Sequence, residues 1–408
     1  MSLTAQLATL LGVFALAFVV RLLVSGVTDV SYSVLLVLVG FGVSLAGVQP
    51  ALVLSHDVIV AVLLPTLLFR GAVELDHQQL RQNLVVPVAL VVLGVPLAVG
   101  LLGAAGIPAF GFPPVVAFLF AVMVVPTDPA AVVSLFEELG APDRLSVIVD
   151  SESLLNDGVA VVVFGVLFEL LRAAPKPDDR AAQLLSPGTL VELGADFVVI
   201  GIGGLAVGVV AGYLGHRATE YVHDEMATVL LTVILAYGSF LLADHVLGVS
   251  GILATVGTGL SMGMAGEAFT AQSEHAEFVR SVWDATGFLV STLVYVLVGA
   301  QVRPDALVGS LDIVVLAAVL VVLVRGVVVY GVVGALNATV SEGVPTSYQH
   351  VMVWGGLHTV VPVALVLSLP ADVPFRSDLR VMVFGIAVLG TVVQGLLMPF
   401  VLERTGVT

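Results

Sequence analysis

The sequence predicts an all-α polytopic membrane protein folded as a single transmembrane unit of two related halves. Three observations predict it. Apolar runs of about 20 residues, the length that spans a hydrocarbon core of about 30 Å, recur along the 408 residues. Hydrophobic residues make up 59% and charged residues 11%, whereas a soluble domain carries about 25% charged residues. Two of the runs are interrupted by proline and glycine around polar side chains, and Pro126 in the first lies 232 residues before His358 in the second.

Apolar length and polar, glycine or proline punctuation divide the chain into about thirteen spans. In order they are 4–25, 30–47, 52–75, 84–104, 113–139, 144–172, 188–214, 224–244, 248–265, 281–301, 307–334, 348–369 and 377–402. The first lacks a basic n-region and a small-residue cleavage site, so it reads as a retained helix rather than a signal peptide. The fifth contains V-V-P-T-D-P-A-A-V-V, where Pro126 and Pro129 bracket Thr127 and Asp128. The sixth opens with D-S-E-S-L-L-N-D-G, placing Asp150, Glu152 and Asp157 at the head of an apolar run. The most polar connectors are 174–183 and 266–277, and the charged segments 137–144 and 266–280 read as solvated faces. Arg325 stands alone inside the eleventh span, and the twelfth contains W-G-G-L-H-T-V-V-P around His358. A shift of 232 residues carries 84–104 onto 316–336 and 144–172 onto 376–404, close to spans already assigned. Assigning loops alternately to the two sides leaves about six basic residues on each, so charge alone gives no orientation.

A proline inside a helix removes a donor and clashes with the preceding turn. In lipid, unwound backbone is tolerated only where it lines an enclosed polar cavity. Broken helices in corresponding positions of two halves therefore point to a substrate site near the bilayer midplane.

Composition removes several chemistries. There is no cysteine, so disulfides, thiolate metal sites and cysteine nucleophiles are excluded. No phosphate-binding glycine loop, H-E-x-x-H or basic patch is present, which leaves nucleotide, zinc and nucleic-acid roles without support. The formal charge is −16, and Lys176 is the single lysine. Such an acidic, lysine-poor chain suits a cell working in concentrated salt, although a GC-rich genome also favours arginine, alanine, valine and glycine.

On a helix from about 144 to 172, Ser153 and Asp157 share one face, while Glu152 and Asn156 share the neighbouring one. Asp128 and the Thr127 carbonyl reach the first face if the broken helix crosses there. Such oxygen donors suit hard cations such as sodium or lithium. A bare carboxylate at mid-membrane costs about 2.5–3.5 kcal/mol or more, and either a proton or a small cation relieves it. If the site crosses the membrane only when filled, that competition becomes exchange. Arg325 either snorkels to an interface or, the simpler reading, meets a buried acid; Glu152 is then the candidate, as a structural pair holding two helices together.

These motifs, T-D-P-A-A at 127–131, E-S-L-L-N-D-G at 152–158, V-S-G-I-L-A at 249–254 and W-G-G-L at 354–357, resemble the first subfamily of monovalent cation:proton antiporters, the NhaP-type and animal sodium/proton exchanger group. The resemblance implies thirteen helices in inverted repeats with two crossing broken helices. It also implies an elevator-like core (about 84–172 and 307–402) moving against a dimerisation subdomain (about 1–75 and 224–301), with a linker helix at about 188–214. A homodimer in the cell membrane, an outside N-terminus and an inside C-terminus follow from it as well. Asp157 would be the ion- and proton-binding carboxylate, with Asp128, Ser153 and the Thr127 carbonyl as co-ligands of Na+. Asn156 would stabilise the helix crossing, and Glu152 would pair with Arg325. The transported ions, Na+ or Li+ and H+, would be the only small partners, with no cofactor and no enzymatic reaction. Asn156 before the key aspartate resembles the electroneutral members, exchanging one proton per sodium.

Two departures bear on selectivity. Arg70 stands where the family usually has an acid, and it would repel sodium unless it turns aside or pairs with Glu74. His358 replaces a usual arginine, either as a titrating modulator or as a neutral hydrogen-bonded residue of the broken helix. A potassium/proton antiporter on the same scaffold is the alternative. G-V-S-G at 248–251 with His358 could also be read as a rhomboid-like serine protease, and acidic rings as a cation channel. The protease reading leaves Asp128, Glu152, Asp157 and Arg325 unexplained, and packing of small residues accounts for Gly248–Gly251.

Overall fold

The structure, a computed structural model, describes residues 3–24, 32–48, 58–128, 132, 136, 140–173, 187–265, 274–339, 343–370 and 372–407. Within them the chain is helical and contains no strand. The principal elements are α1 (Leu3–Val24), α2 (Tyr32–Leu45), α3 (58–74), α4 (Val85–Phe110), α5 (Pro114–Val124), α6 (Asp143–Ala173) and α7 (Pro187–Thr219). They continue with α8 (Glu225–Leu247), α9 (Gly251–Ala265), α10 (Glu274–Gln301), α11 (Leu311–Asn337), α12a (Thr346–Trp354), α12b (Val360–Ser368) and α13 (Arg376–Thr405). Among the described residues, eight helices are long and apolar enough to cross a membrane. This is a multi-pass membrane protein.

Without a hydrophobic drive between helices in lipid, association relies on close backbone approach through small residues. The α7–α9 seam shows this. A methyl group added at Gly204, Gly208 or Gly212 would meet the carbonyls of Ser250, Ala254 and Thr258 in turn. The α2–α10 seam is reciprocal, because Gly40 lies against the Val296 carbonyl and Gly299 against that of Val37. Gly251 likewise packs against Phe240, and the Ser250 hydroxyl accepts the Leu253 N–H at 3.1 Å. Ser250 is thus a helix cap, a serine oxygen taking up one of the N–H groups that the first turn of a helix leaves unpaired.

Several helices outrun their apolar stretches. α10 begins at Glu274 rather than 281, and Ala276 and Val279 in its first turns are buried. The charged stretch 274–280 is therefore part of a helix with one packed face, not wholly a solvated segment; 266–273 lies outside the described residues. α4 runs to Phe110 and stops at Gly111, whose φ of 66° suits a left-handed cap. Span 113–139 is followed as α5 to Val124 and then as unwound backbone to Asp128. Apolar length measures hydrocarbon thickness, whereas helix length also depends on packing beyond it.

Candidate ion-binding site

The site grows from the two breaks. α5 ends at Val124 because Pro126 has no N–H to continue the ladder. The second break runs from Gly355 to Thr359, and Pro362 falls in the first turn of α12b, where an N–H would lack an intrahelical partner anyway. Each break satisfies the other. The Asp128 N–H donates to the Leu357 carbonyl at 2.6 Å, and His358 Nδ1 donates to the Pro126 carbonyl at 2.8 Å. Thr359 Oγ1 donates to Asp128 Oδ2. The backbone groups freed by unwinding are thus spent across the pair, as a dry interior demands.

α6 crosses beside this junction. Ser153 Oγ donates to the Thr127 carbonyl and lies 3.0 Å from Thr127 Oγ1. One turn on, Asn156 Nδ2 donates to the Val125 carbonyl at 3.2 Å. Thr127, Asp128, Ser153 and Asn156 are all buried. Asp157 is half-buried, within electrostatic range of Asp128 and Glu152, and its Oδ1 is sealed from solvent with no hydrogen-bond partner. An unpartnered buried carboxylate oxygen is expensive unless something else occupies it.

The neighbouring face of α6 does a different job. Glu152, 3% exposed, receives both Arg325 terminal nitrogens from α11, Nη1 to Oε1 at 3.0 Å and Nη2 to Oε2 at 2.8 Å. Arg325 Nε donates to the Met352 carbonyl at 3.2 Å, joining α12a to the same pair. The bidentate form of this pair fixes both its orientation and its distance. A cavity of about 30 Å³, room for about one water molecule, lies beside Glu152, Asn156, Arg325 and His358.

Arg70 turns aside into a cluster of acids. Its Nε lies 2.7 Å from Glu74 Oε1 and 3.2 Å from Asp284 Oδ1 on α10. The Arg70 stem passes over Gly287, where any larger residue would meet it. The cation at this position is thereby held by two acids, with Asp284 an unforeseen partner.

Two further residues escaped sequence reasoning. Tyr295 of α10 donates from its hydroxyl to Asp128 Oδ2 at 2.7 Å and is 4% exposed. Thr359 is the other donor to that oxygen. The offset between the breaks contains a clue to Thr359, since it is related to Thr127 by the same 232 residues that separate His358 from Pro126. Tyr295 offers only a lone hydroxyl in the apolar run L-V-Y-V-L-V.

Comparison with known proteins agrees with this architecture. The solved structure of the sodium proton antiporter MjNhaP1 from Methanocaldococcus jannaschii at pH 8 superposes with a TM-score of 0.76 at 18% identity, covering 99% of this chain and 97% of that one. The Na(+)/H(+) antiporter NhaG of Bacillus atrophaeus is 31% identical over 411 residues, spanning 97% of this chain and 75% of its own length. ApNhaP, a Na(+)/H(+) antiporter of Aphanothece halophytica, is 30% identical over 378 residues, 93% of this chain and 70% of its own. Residues 14–404 match the family described as sodium/hydrogen exchanger, transmembrane, and the chain belongs to that family.

Proposed function

We propose that the protein is a secondary antiporter exchanging Na+ or Li+ for H+ across the cell membrane, with proton and cation competing for Asp157. The observation that carries this reading is the Asp157 Oδ1, buried and without a hydrogen-bond partner beside the junction of two broken helices. A bare charge there is costly, so the carboxylate favours an occupied state. Proton and sodium are alternative occupants, and exclusive occupancy couples one flux to the other. Asp128, Ser153 and the Thr127 carbonyl supply the remaining oxygens for the cation, a donor set suited to a hard ion. Asn156 braces the crossing through the Val125 carbonyl.

The cycle is electroneutral, because one exchangeable carboxylate carries one monovalent charge in either direction. A core of about 84–172 and 307–402 moves against a homodimeric scaffold of about 1–75 and 224–301, linked by about 188–214. The resemblance to sodium/proton exchangers supports this division, and the mass of the purified protein in detergent tests the dimer.

The deciding experiment is proton flux in proteoliposomes under an imposed pH gradient, with sodium, lithium or potassium added in turn. Dissipation by sodium or lithium that disappears in Asp157→Asn supports the mechanism. A response to potassium alone would reassign the cargo. Flux in the absence of any counter-cation would indicate a channel, and no cation response from about pH 5 to 9 in folded protein would overturn the proposal.

A further inference from the structure

At the ends of α2 and α10 and the start of α13 lies a cavity of about 620 Å³, remote in sequence from the Asp128–Asp157 cluster and not used by it. Arg303, which follows α10, and Arg376 and Arg380, in the first turns of α13, all line it. The chain has 14 basic residues against 30 acidic ones, yet three arginines converge here. None of the three forms an ion pair with a carboxylate among the described residues. Arg376 Nε is used by the Leu369 carbonyl at 2.7 Å. Arg380 Nε and Gln301 Nε2 are buried with no hydrogen-bond partner.

Three guanidiniums around one void repel one another, and buried donors without acceptors are an unsatisfied demand. An anion with several oxygens meets both. Each guanidinium presents a planar fork that matches two oxygens of a phosphate, which a single-point anion such as chloride does not reproduce. Phe384 and Leu307 complete the wall, so an apolar substituent on the phosphate finds contact as well. The volume lies within the range of about 300–1,000 Å³ usual for small-ligand sites.

We infer that this cavity is a binding site for a phosphate-bearing anion, held by Arg303, Arg376 and Arg380 with Gln301 as an additional donor. Free phosphate and the phosphodiester of an anionic lipid headgroup share this chemistry. Either one would tie α13 to the end of α10.

Thermal unfolding of the purified full chain, followed by tryptophan fluorescence in a neutral detergent at constant ionic strength, tests the site. One arm titrates inorganic phosphate against chloride. The other adds phosphatidylglycerol or phosphate-free diacylglycerol to the micelles. Saturable stabilisation by phosphate, weakened at least tenfold in Arg380→Gln and in Arg303→Gln, supports a free-phosphate site. Stabilisation by phosphatidylglycerol but not by diacylglycerol or phosphate, with the same loss, supports the headgroup. Arg303 is exposed, so its variant keeps the test usable if Arg380→Gln does not fold. Equal stabilisation of wild type and variants, or none from any phosphate source, overturns the inference. Neither readout involves sodium or proton flux, so its failure would leave the exchange mechanism untouched.

Discussion

Arg325 grips Glu152 with both terminal nitrogens, at 3.0 and 2.8 Å, in a pair whose side chains are only 12% and 4% exposed. This pair fastens α11 to α6, while the Arg325 Nε fastens α12a to both. Removing one partner strands the other charge, at a cost of about 3–5 kcal/mol, whereas replacing both with apolar groups is often neutral. Arg325→Leu should therefore destabilise the protein strongly, and Glu152→Leu with Arg325→Leu should recover most of the loss. Unfolding of the two variants in detergent measures this. A double variant as unstable as the single one would mean that the pair specifies the helix arrangement itself.

How much of this was legible in the sequence depends on whether a residue acts through its own chemistry or through a neighbour's. Arg325 inside an apolar span made a buried acid the simpler expectation, and Glu152, on the face of α6 next to that of Ser153 and Asp157, is the acid it touches. Pro126 and Pro129 marked the first break and Gly355, Gly356 and Pro362 the second, because proline lacks the N–H, and glycine the side-chain restraint, that favour an uninterrupted helix. Tyr295 could not be placed in this way. An apolar run with one hydroxyl fits any lipid-facing or buried helix, and the contact with Asp128 spans 167 positions. Asp284 was hidden for a similar reason: it lies near the polar entry of α10, where acids are commonplace, and only packing brings it to Arg70.

Tyr295 and Thr359 both donate to Asp128 Oδ2, so a sodium ion using that carboxylate as the proposed co-ligand would have to displace a hydrogen or share the oxygen with it. A hydrogen bond to a charged group contributes about 1.5–3 kcal/mol. Tyr295→Phe removes one donor and keeps the buried ring. The half-saturating sodium concentration should fall by roughly tenfold, the equivalent of about 1.4 kcal/mol. Sodium-dependent flux across a concentration series provides the measurement. An unchanged value would assign Asp128 to holding the broken helix rather than the ion.

His358 Nδ1 donates to the Pro126 carbonyl at 2.8 Å, joining the two breaks. In this geometry the imidazole serves as a fixed donor, and an asparagine amide can take the same place. His358→Asn should preserve both exchange and the shape of its pH profile. His358→Leu leaves a buried carbonyl unsatisfied and should cost about 1–3 kcal/mol of stability. Activity against pH for both variants, with unfolding curves, separates the roles. A displaced profile in the asparagine variant would instead make His358 a titrating modulator.

The charges around the site also predict its response to voltage. Glu152 is neutralised by Arg325, and Asp128 Oδ2 is held by two hydroxyl donors. Of these three acids, Asp157 carries the buried oxygen without a hydrogen-bond partner, which the proposed mechanism fills with a proton or a cation. A carboxylate filled by one proton on one stroke and one sodium ion on the other carries the same net charge both ways. Each uncompensated elementary charge moved through 100 mV would contribute about 2.3 kcal/mol, roughly a fifty-fold bias in the ion gradient reached at equilibrium. Proteoliposomes clamped near 0 and 100 mV with an ionophore should therefore reach the same sodium gradient for a given pH gradient. A shift approaching that bias would require a second titrating group in the cycle. Asp128 would then be the group to replace first, because losing the Tyr295 and Thr359 bonds would free it to carry a proton of its own.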